Sequence, residues 1–226
     1  MSDTITGTIS GNITGTIHVG YLFDPLCGWC YGASPAIERL IARPDVALEL
    51  MPTGLFAGPG ARPMDAGFAD YAWSNDQRIA RLTGQPFSDA YRQKVLADRT
   101  RLFDSGPATL AIVAVARVAP ARAFEALKAI QHARYVEGRD ITDITVLGQV
   151  LRALDMGEIA DRLAAPDEAL LTAYRSRVET ARREMRRLGA DGVPSLAVGN
   201  ATTPRLVRGN ALFGSMDMLV AELKAA

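Results

Sequence analysis

The chain is poor in the side chains that hold soft metals or pair a nucleophile with a base: 226 residues carry only two cysteines and two histidines. A closed zinc site needs four ligands, and neither His18 nor His132 stands at a paired Cys/His ligand spacing. A metal centre is therefore not expected. Charge of either sign is not in excess, with 25 basic and 25 acidic residues, which excludes the basic footprint of a nucleic-acid binder. No apolar run approaches the roughly 18 residues of a membrane span. The N-terminus lacks a basic stretch followed by a continuous apolar one, so it does not read as a secretory signal. The expectation is a cytoplasmic protein without membrane association. In that compartment a disulfide is transient and catalytic rather than a permanent staple.

The two cysteines that are present stand three apart, in Tyr21-Leu22-Phe23-Asp24-Pro25-Leu26-Cys27-Gly28-Trp29-Cys30. The apolar run Ile17–Phe23 has strand character, and a helical pattern follows at Ala33–Arg43. The pair thus falls at a helix N-terminus, where unpaired N–H groups and the helix dipole favour a thiolate. A thiolate is the species that attacks a disulfide. The first cysteine, at the helix tip, is expected to be open to solvent. The second, one turn in, is expected to be covered.

Along the chain the pattern changes twice. Residues 1–16 repeat every four, with Ile5, Ile9 and Ile13 in step and Gly7, Gly11 and Gly15 between them. They read as a loose arm, or as an extra edge strand that could pair with a second subunit in a homodimer. Ile17–Phe23, the redox helix to Arg43, and Val46–Pro52 form a βαβ unit, with Pro35 expected to kink the helix. Gly54–Pro63 is a glycine- and proline-punctuated loop. Helical patterns follow at Ala69–Leu82, Ser88–Ala97, Pro107–Val118, Ala121–Val136, Ile144–Leu154 after the N-cap Asp143, and Asp167–Leu188. Beyond Gly192 the period returns to two, with strands at Leu196–Val198 and Leu206–Arg208 around a turn, and a last helix at Gly214–Lys224. The expected architecture is α/β: residues 17–57 and 189–226 form one domain, 58–188 a helical insertion, and 1–16 an arm.

Strand, Cys-x-x-Cys helix, helical insertion, the Gly192-Val193-Pro194-Ser195 loop, hairpin and final helix together resemble the DsbA-like branch of the thioredoxin superfamily. Within it, Phe-Asp-Pro-Leu-Cys-Gly-Trp-Cys is similar to cytoplasmic proteins grouped as protein-disulfide isomerases. The resemblance implies a thioredoxin fold interrupted by a helical insertion and a thiol–disulfide oxidoreductase. It implies that Cys27 is the nucleophile and Cys30 the resolving thiol. Val193-Pro194 matches the cis-proline loop beside the disulfide, where the backbone of Val193 could pair with an extended substrate. No organic cofactor is implied, because the cysteine pair carries the two electrons. Protein or small-molecule disulfides are the expected partners, with glutathione a candidate reductant.

The other residues have two readings each. Trp29 either contacts substrate or covers the helix end. Unlike a histidine there, it brings no positive charge to the thiolate. Asp24 either accepts the proton of Cys30 as a general base or is only a turn residue before Pro25. Arg182, Arg183, Arg186 and Arg187 form a solvated helix face or a positive rim for an acidic thiol. His18 and His132 read as structural. Two other functions remain open. One is a glutathione-dependent transferase or isomerase of the kappa-class or 2-hydroxychromene-2-carboxylate isomerase type, in which Cys27 would act alone. The other is a binding module that keeps its thiols for sensing.

Overall fold

The computed structural model describes residues 15–199 and 204–225. The arm at 1–16 therefore lies almost wholly outside the described residues, as does the centre of the expected turn after Gly199.

A four-stranded sheet in the order β2-β1-β5-β6 carries the site. Strand β1 (Ile17–Phe23) pairs in parallel with β2 (Val46–Pro52), from Ile17 opposite Val46 to Phe23 opposite Pro52. On its other side β1 pairs antiparallel with β5 (Ser195–Val198), with Tyr21 opposite Leu196. The sheet closes on β6 (Arg205–Arg208), antiparallel to β5. Strand β1 is therefore central, and its C-terminal half from Tyr21 to Phe23 is buried. Anything placed directly after Phe23 is delivered to the end of the sheet.

Helix α1 (Gly28–Ile41) makes the crossover from β1 to β2. It runs unbroken through Pro35. Proline cannot donate to the carbonyl four residues back, and that carbonyl, of Tyr31, accepts a hydrogen bond from Gln85 Nε2 at 3.2 Å instead. The carbonyl freed by Pro35 thus finds a side-chain partner from outside the helix.

Between β2 and β5 come α2 (Ala66–Thr83), a short α3 (Asp89–Tyr91) running into a π turn at Arg92–Leu96, α4 (Gly106–Val118), α5 (Ala123–Tyr135), α6 (Ile144–Ala153), α7 (Gly157–Ala164) and α8 (Glu168–Leu188). Gly84 and Gly189 close α2 and α8 in the left-handed conformation, at φ of 75° and 63°. An all-helical reading of this segment needs two corrections. Residues Arg62–Pro63 (β3) and Leu102–Phe103 (β4) form a two-residue antiparallel ladder, too short to leave a period-two signature. Helix α7 also went unread, because its buried set of Ile159, Ala160 and Leu163 spans little more than one turn. Helix α9 (Met216–Lys224) starts two residues later than expected, with Ser215 Oγ accepting from Met218 N–H as its N-cap.

The buried side chains of the sheet, α1 and the helical segment form one continuous apolar cluster, from Val19 and Phe23 through Ile37, Ile79 and Leu127 to Leu196 and Leu223. Helix α2 lies close on α1: a methyl group added at Gly32 would come within 2.5 Å of Ile79 Cγ2. The helical segment is thus a cover over the end of the sheet where β1 delivers its cysteines.

Candidate active site

The turn after β1 is built by Asp24. Its Oδ1 accepts from Leu26 N–H at 2.9 Å, and its Oδ2 accepts from Phe56 N–H at 3.2 Å and from Ser105 Oγ at 2.7 Å. The side chain is fully buried, and burial raises its pKa against the lowering effect of those donors. Asp24 thereby ties the cysteine turn to the loop after β2 and to the start of α4. No hydrogen bond joins its carboxylate to Cys30 among the described residues, so the geometry supplies the turn role and not a direct contact for a base.

Cys27 occupies the N-cap of α1, and its Sγ accepts from Cys30 N–H at 3.4 Å. As a thiol it faces the carbonyl oxygen of Val193 at 3.5 Å. The Val193–Pro194 peptide bond is cis. Both cysteines are free thiols. Cys30 is 1% exposed, and burial, followed by the neighbouring Cys27, pushes its pKa well above the ordinary thiol value. Its carbonyl accepts from Tyr21 Oη at 3.2 Å, and the carbonyl of Leu26 accepts from Tyr135 Oη at 2.8 Å.

Cys27 is only 8% exposed, which corrects the expectation of an open helix tip. The cysteine does sit at the end of a helix, but the walls around that end cover it. It opens instead into a groove of about 290 Å³ walled by Leu26 to Trp29, by Leu55 and Phe56, by the α2 face carrying Phe68, Ala72, Asp76 and Ile79, and by Gly192-Val193, with Tyr91, Phe103 and Tyr135 also lining it. Cys30 does not reach the groove; Cys27 does. The rim exposes Tyr71 and Leu55.

Trp29 lines the groove and also covers the helix end. Its ring meets Phe213 edge-on at 5.3 Å, and the guanidinium of Arg78 lies 5.6 Å from its centroid. The covering role is thus seen directly, and the ring also stands in the groove wall. Val193 lines the groove, whereas Pro194 is buried behind it, its carbonyl so near Gly209 that a methyl group there would approach it to 2.1 Å.

The arginines of α8 divide. Arg182 is no part of a solvated face: its Nε donates to the carbonyl of Thr53 at 2.8 Å, and its Nη2 donates to the carbonyl of Gly54. It staples the loop that carries Leu55 and Phe56 into the groove wall. Arg186 pairs with Glu179 and Arg187 with Glu184 on the helix surface. His18 is exposed on β1, and His132 is exposed beside Glu137, with neither in the groove.

Asp76 was not singled out from sequence. It is 4% exposed in the groove wall and accepts from Tyr91 Oη at 3.0 Å. Burial raises its pKa to about 7. A signal for it existed: it shares the apolar face of α2 with Ala69, Trp73 and Ile79 at helical spacing, where a carboxylate costs free energy unless partnered.

The described residues hold no group of three or more His, Cys, Asp or Glu placed to bind a metal ion. No helix among them is long and apolar enough to cross a membrane.

A buried dithiol at the N-terminus of the helix following a central strand, flanked by a cis-proline loop, defines a thioredoxin-type redox protein. A family model for the DSBA-like thioredoxin domain matches residues 18–224, and the chain belongs to that family. Comparison with curated proteins gives no match. Among solved structures, the cytosolic disulfide reductase DsbM from Pseudomonas aeruginosa is 34% identical. The match covers 92% of this chain and 97% of that one, with a TM-score of 0.79. The same protein solved with GSH superposes with a TM-score of 0.77. A candidate protein disulfide isomerase from Nitrosomonas europaea is 23% identical over 92% of this chain and 98% of that one, with a TM-score of 0.74. A 2-hydroxychromene-2-carboxylate isomerase, 19% identical over 91% of this chain and 94% of that one, has a TM-score of 0.62. These last two share the fold.

Proposed function

We propose that the protein is a cytoplasmic thiol–disulfide oxidoreductase that works in the reducing direction, with glutathione as its electron source. The observation that carries this reading is the asymmetry of the pair. Cys27 caps a helix N-terminus and opens into the groove, while Cys30 lies sealed one turn inside with its pKa driven up by burial. Similarity to DsbM, a cytosolic disulfide reductase also solved with GSH, supports the direction and the thiol.

The chemistry follows from that asymmetry. Cys27, reacting as the thiolate beside the Cys30 N–H, attacks one sulfur of a disulfide lying in the groove. A mixed disulfide forms and the other sulfur leaves. Cys30 stays a thiol until the proton can leave, then attacks Cys27 and releases the substrate. The backbone of Val193 is the partner for an extended substrate, and Trp29, Leu55 and Tyr71 offer it apolar surface. Two molecules of glutathione then return the pair to the dithiol.

The test is turnover of a protein disulfide, such as those of insulin, with glutathione regenerated by glutathione reductase. Wild type should turn over, and Cys27→Ser should be inactive. Cys30→Ser should stall as a mixed disulfide. A Cys30→Ser protein that keeps full activity would instead favour the transferase or isomerase reading, in which Cys27 acts alone. A single oxidation event without cycling would favour a sensor.

A further inference from the structure

The groove contains a titratable group that the cysteine chemistry above does not use. Asp76 stands in the wall formed by α2, opposite the first residue of α1. A methyl group added at Gly28 would lie 2.4 Å from Asp76 Oδ1, so the carboxyl oxygen rests directly against the backbone of the residue that follows Cys27. Its other oxygen, Oδ2, is held by Tyr91 Oη at 3.0 Å. Oδ1 has no hydrogen-bond partner among the described residues, and the residue lines the groove that Cys27 enters.

The support behind Asp76 is built and buried. Tyr91 is 2% exposed and packs on Tyr135 at 5.0 Å. The guanidinium of Arg134, 1% exposed, lies 5.3 Å from the centroids of both Tyr91 and Phe103. The groups acting on Asp76 are Tyr91 from α3 and Arg134 and Tyr135 from α5, and Cys27 lines the same groove. Among the described residues no cation makes a direct ion pair with it, and burial holds the acid in a range where it is partly protonated at neutral pH.

We infer that Asp76 is the proton donor of the exchange reaction, protonating the substrate sulfur that leaves when Cys27 attacks. This rests on the function proposed above. In the step, the Cys27 thiolate forms a bond to one substrate sulfur and the substrate S–S bond breaks. The Cys27 sulfur is oxidised to the disulfide level, and the leaving sulfur is reduced and departs with the electron pair. It takes the proton of Asp76 and leaves as a thiol, and the carboxylate is reprotonated from solvent through the groove. Tyr91 and Arg134 act as positioning residues: they fix the carboxyl and set its proton affinity. A protein without this acid would rely on how readily the thiolate leaves by itself, because a leaving thiol of lower pKa departs faster. Asp76 therefore matters most for alkyl disulfides, whose thiolates are basic, and least for aryl disulfides.

The experiment is single-turnover oxidation of the reduced protein by oxidised glutathione and by an aryl nitrobenzoate disulfide, across pH. In Asp76→Asn the ratio of alkyl to aryl rates should drop about 100-fold, the lower end of what a positioned acid contributes. Wild type should show a fall of the alkyl rate above neutral pH, and that fall should vanish in Asp76→Asn. Asp76→Glu should restore part of the ratio. Tyr91→Phe, which removes a hydrogen bond that lowers the acid's pKa, should move the alkyl limb to higher pH. Equal losses toward both substrates, or an unchanged ratio, would overturn the inference. If Asp76→Asn does not fold by circular dichroism, the wild-type profiles decide: a limb in the alkyl profile alone supports the inference, and the same limb in both overturns it. A wild-type protein that reacts with neither disulfide would overturn the proposed function itself. An unchanged ratio in a fully active Asp76→Asn protein would remove only the role of Asp76.

Discussion

At the scale of single residues the site is a contrast between two buried carboxyl groups. Asp24 is buried and satisfied by three donors, two backbone amides and the Ser105 hydroxyl. Asp76 is buried with one donor. The second should be visible in stability. Its carboxyl has an ordinary pKa of 3.8 and a folded one of about 7. Between those values the folded state binds more protons than the unfolded one, so stability falls as pH rises through that window and stays lower above it. A shift of that size corresponds to roughly 4 kcal/mol at most. Chemical denaturation of wild type and Asp76→Asn at pH 4 and pH 8 is the check. Asp76→Asn is expected to gain on wild type by about 2–4 kcal/mol between the two pH values. Using the difference between two proteins cancels the carboxylates whose pKa is lowered, such as Asp65 and Asp167, because they act in the opposite sense in both.

At the scale of elements, two contacts hold the groove in shape. The first is the close approach of α1 and α2 at Gly32. Gly→Ala inside a helix ordinarily gains about 0.5–1 kcal/mol. Here the new methyl would press on Ile79, which is fully buried, and overpacking of a filled core costs about 1–3 kcal/mol. The packing cost is the larger, so Gly32→Ala is expected to lower the thermal midpoint by a few degrees in a scan against wild type. The second is the Arg182 staple. Arg182→Ala leaves the buried carbonyls of Thr53 and Gly54 without their charged donor, a loss of about 1–3 kcal/mol. Amide hydrogen exchange at residues 55–57 should speed up in that variant while exchange in α5 is unchanged. Much of this element scale was legible beforehand. The redox helix, its strand and the long α8 were readable because each joins a clear period to a boundary signal, such as Gly189 after Leu188. The β3–β4 ladder was not, because two residues per strand carry no period. The roles of Arg182 and Asp76 were hidden for a different reason: each depends on a partner more than ten residues away, and a single sequence shows spacing, not distance.

At the scale of the whole molecule, the helical segment between β2 and β5 shares one apolar cluster with the sheet. Cooperative unfolding follows from such sharing, because neither part keeps its buried surface when the other leaves. Near-ultraviolet and far-ultraviolet circular dichroism should report one coincident transition in urea. Two separated transitions would mean that the cover folds independently of the sheet. The same sharing explains why Cys27 is covered. A bare thioredoxin-type sheet would leave the helix tip open, whereas here α2, the loop at Leu55-Phe56 and Val193 surround it and turn access into a groove. The sequence motif pointed to the cysteine pair and to the loop that lies beside it. The enclosure that selects what reaches the pair comes from residues scattered over the chain, which no motif collects.

The central claim is that Cys27 is the sulfur that meets substrate and Cys30 the one that resolves. Its most direct test is to expose Cys30→Ser and Cys27→Ser to oxidised glutathione and to locate the adduct by peptide mass spectrometry. The account predicts one glutathione per chain on Cys27 in Cys30→Ser, formed faster than on a free cysteine peptide, and little or none on Cys30 in Cys27→Ser. Preferential modification of Cys30, or no adduct on Cys27, would contradict it.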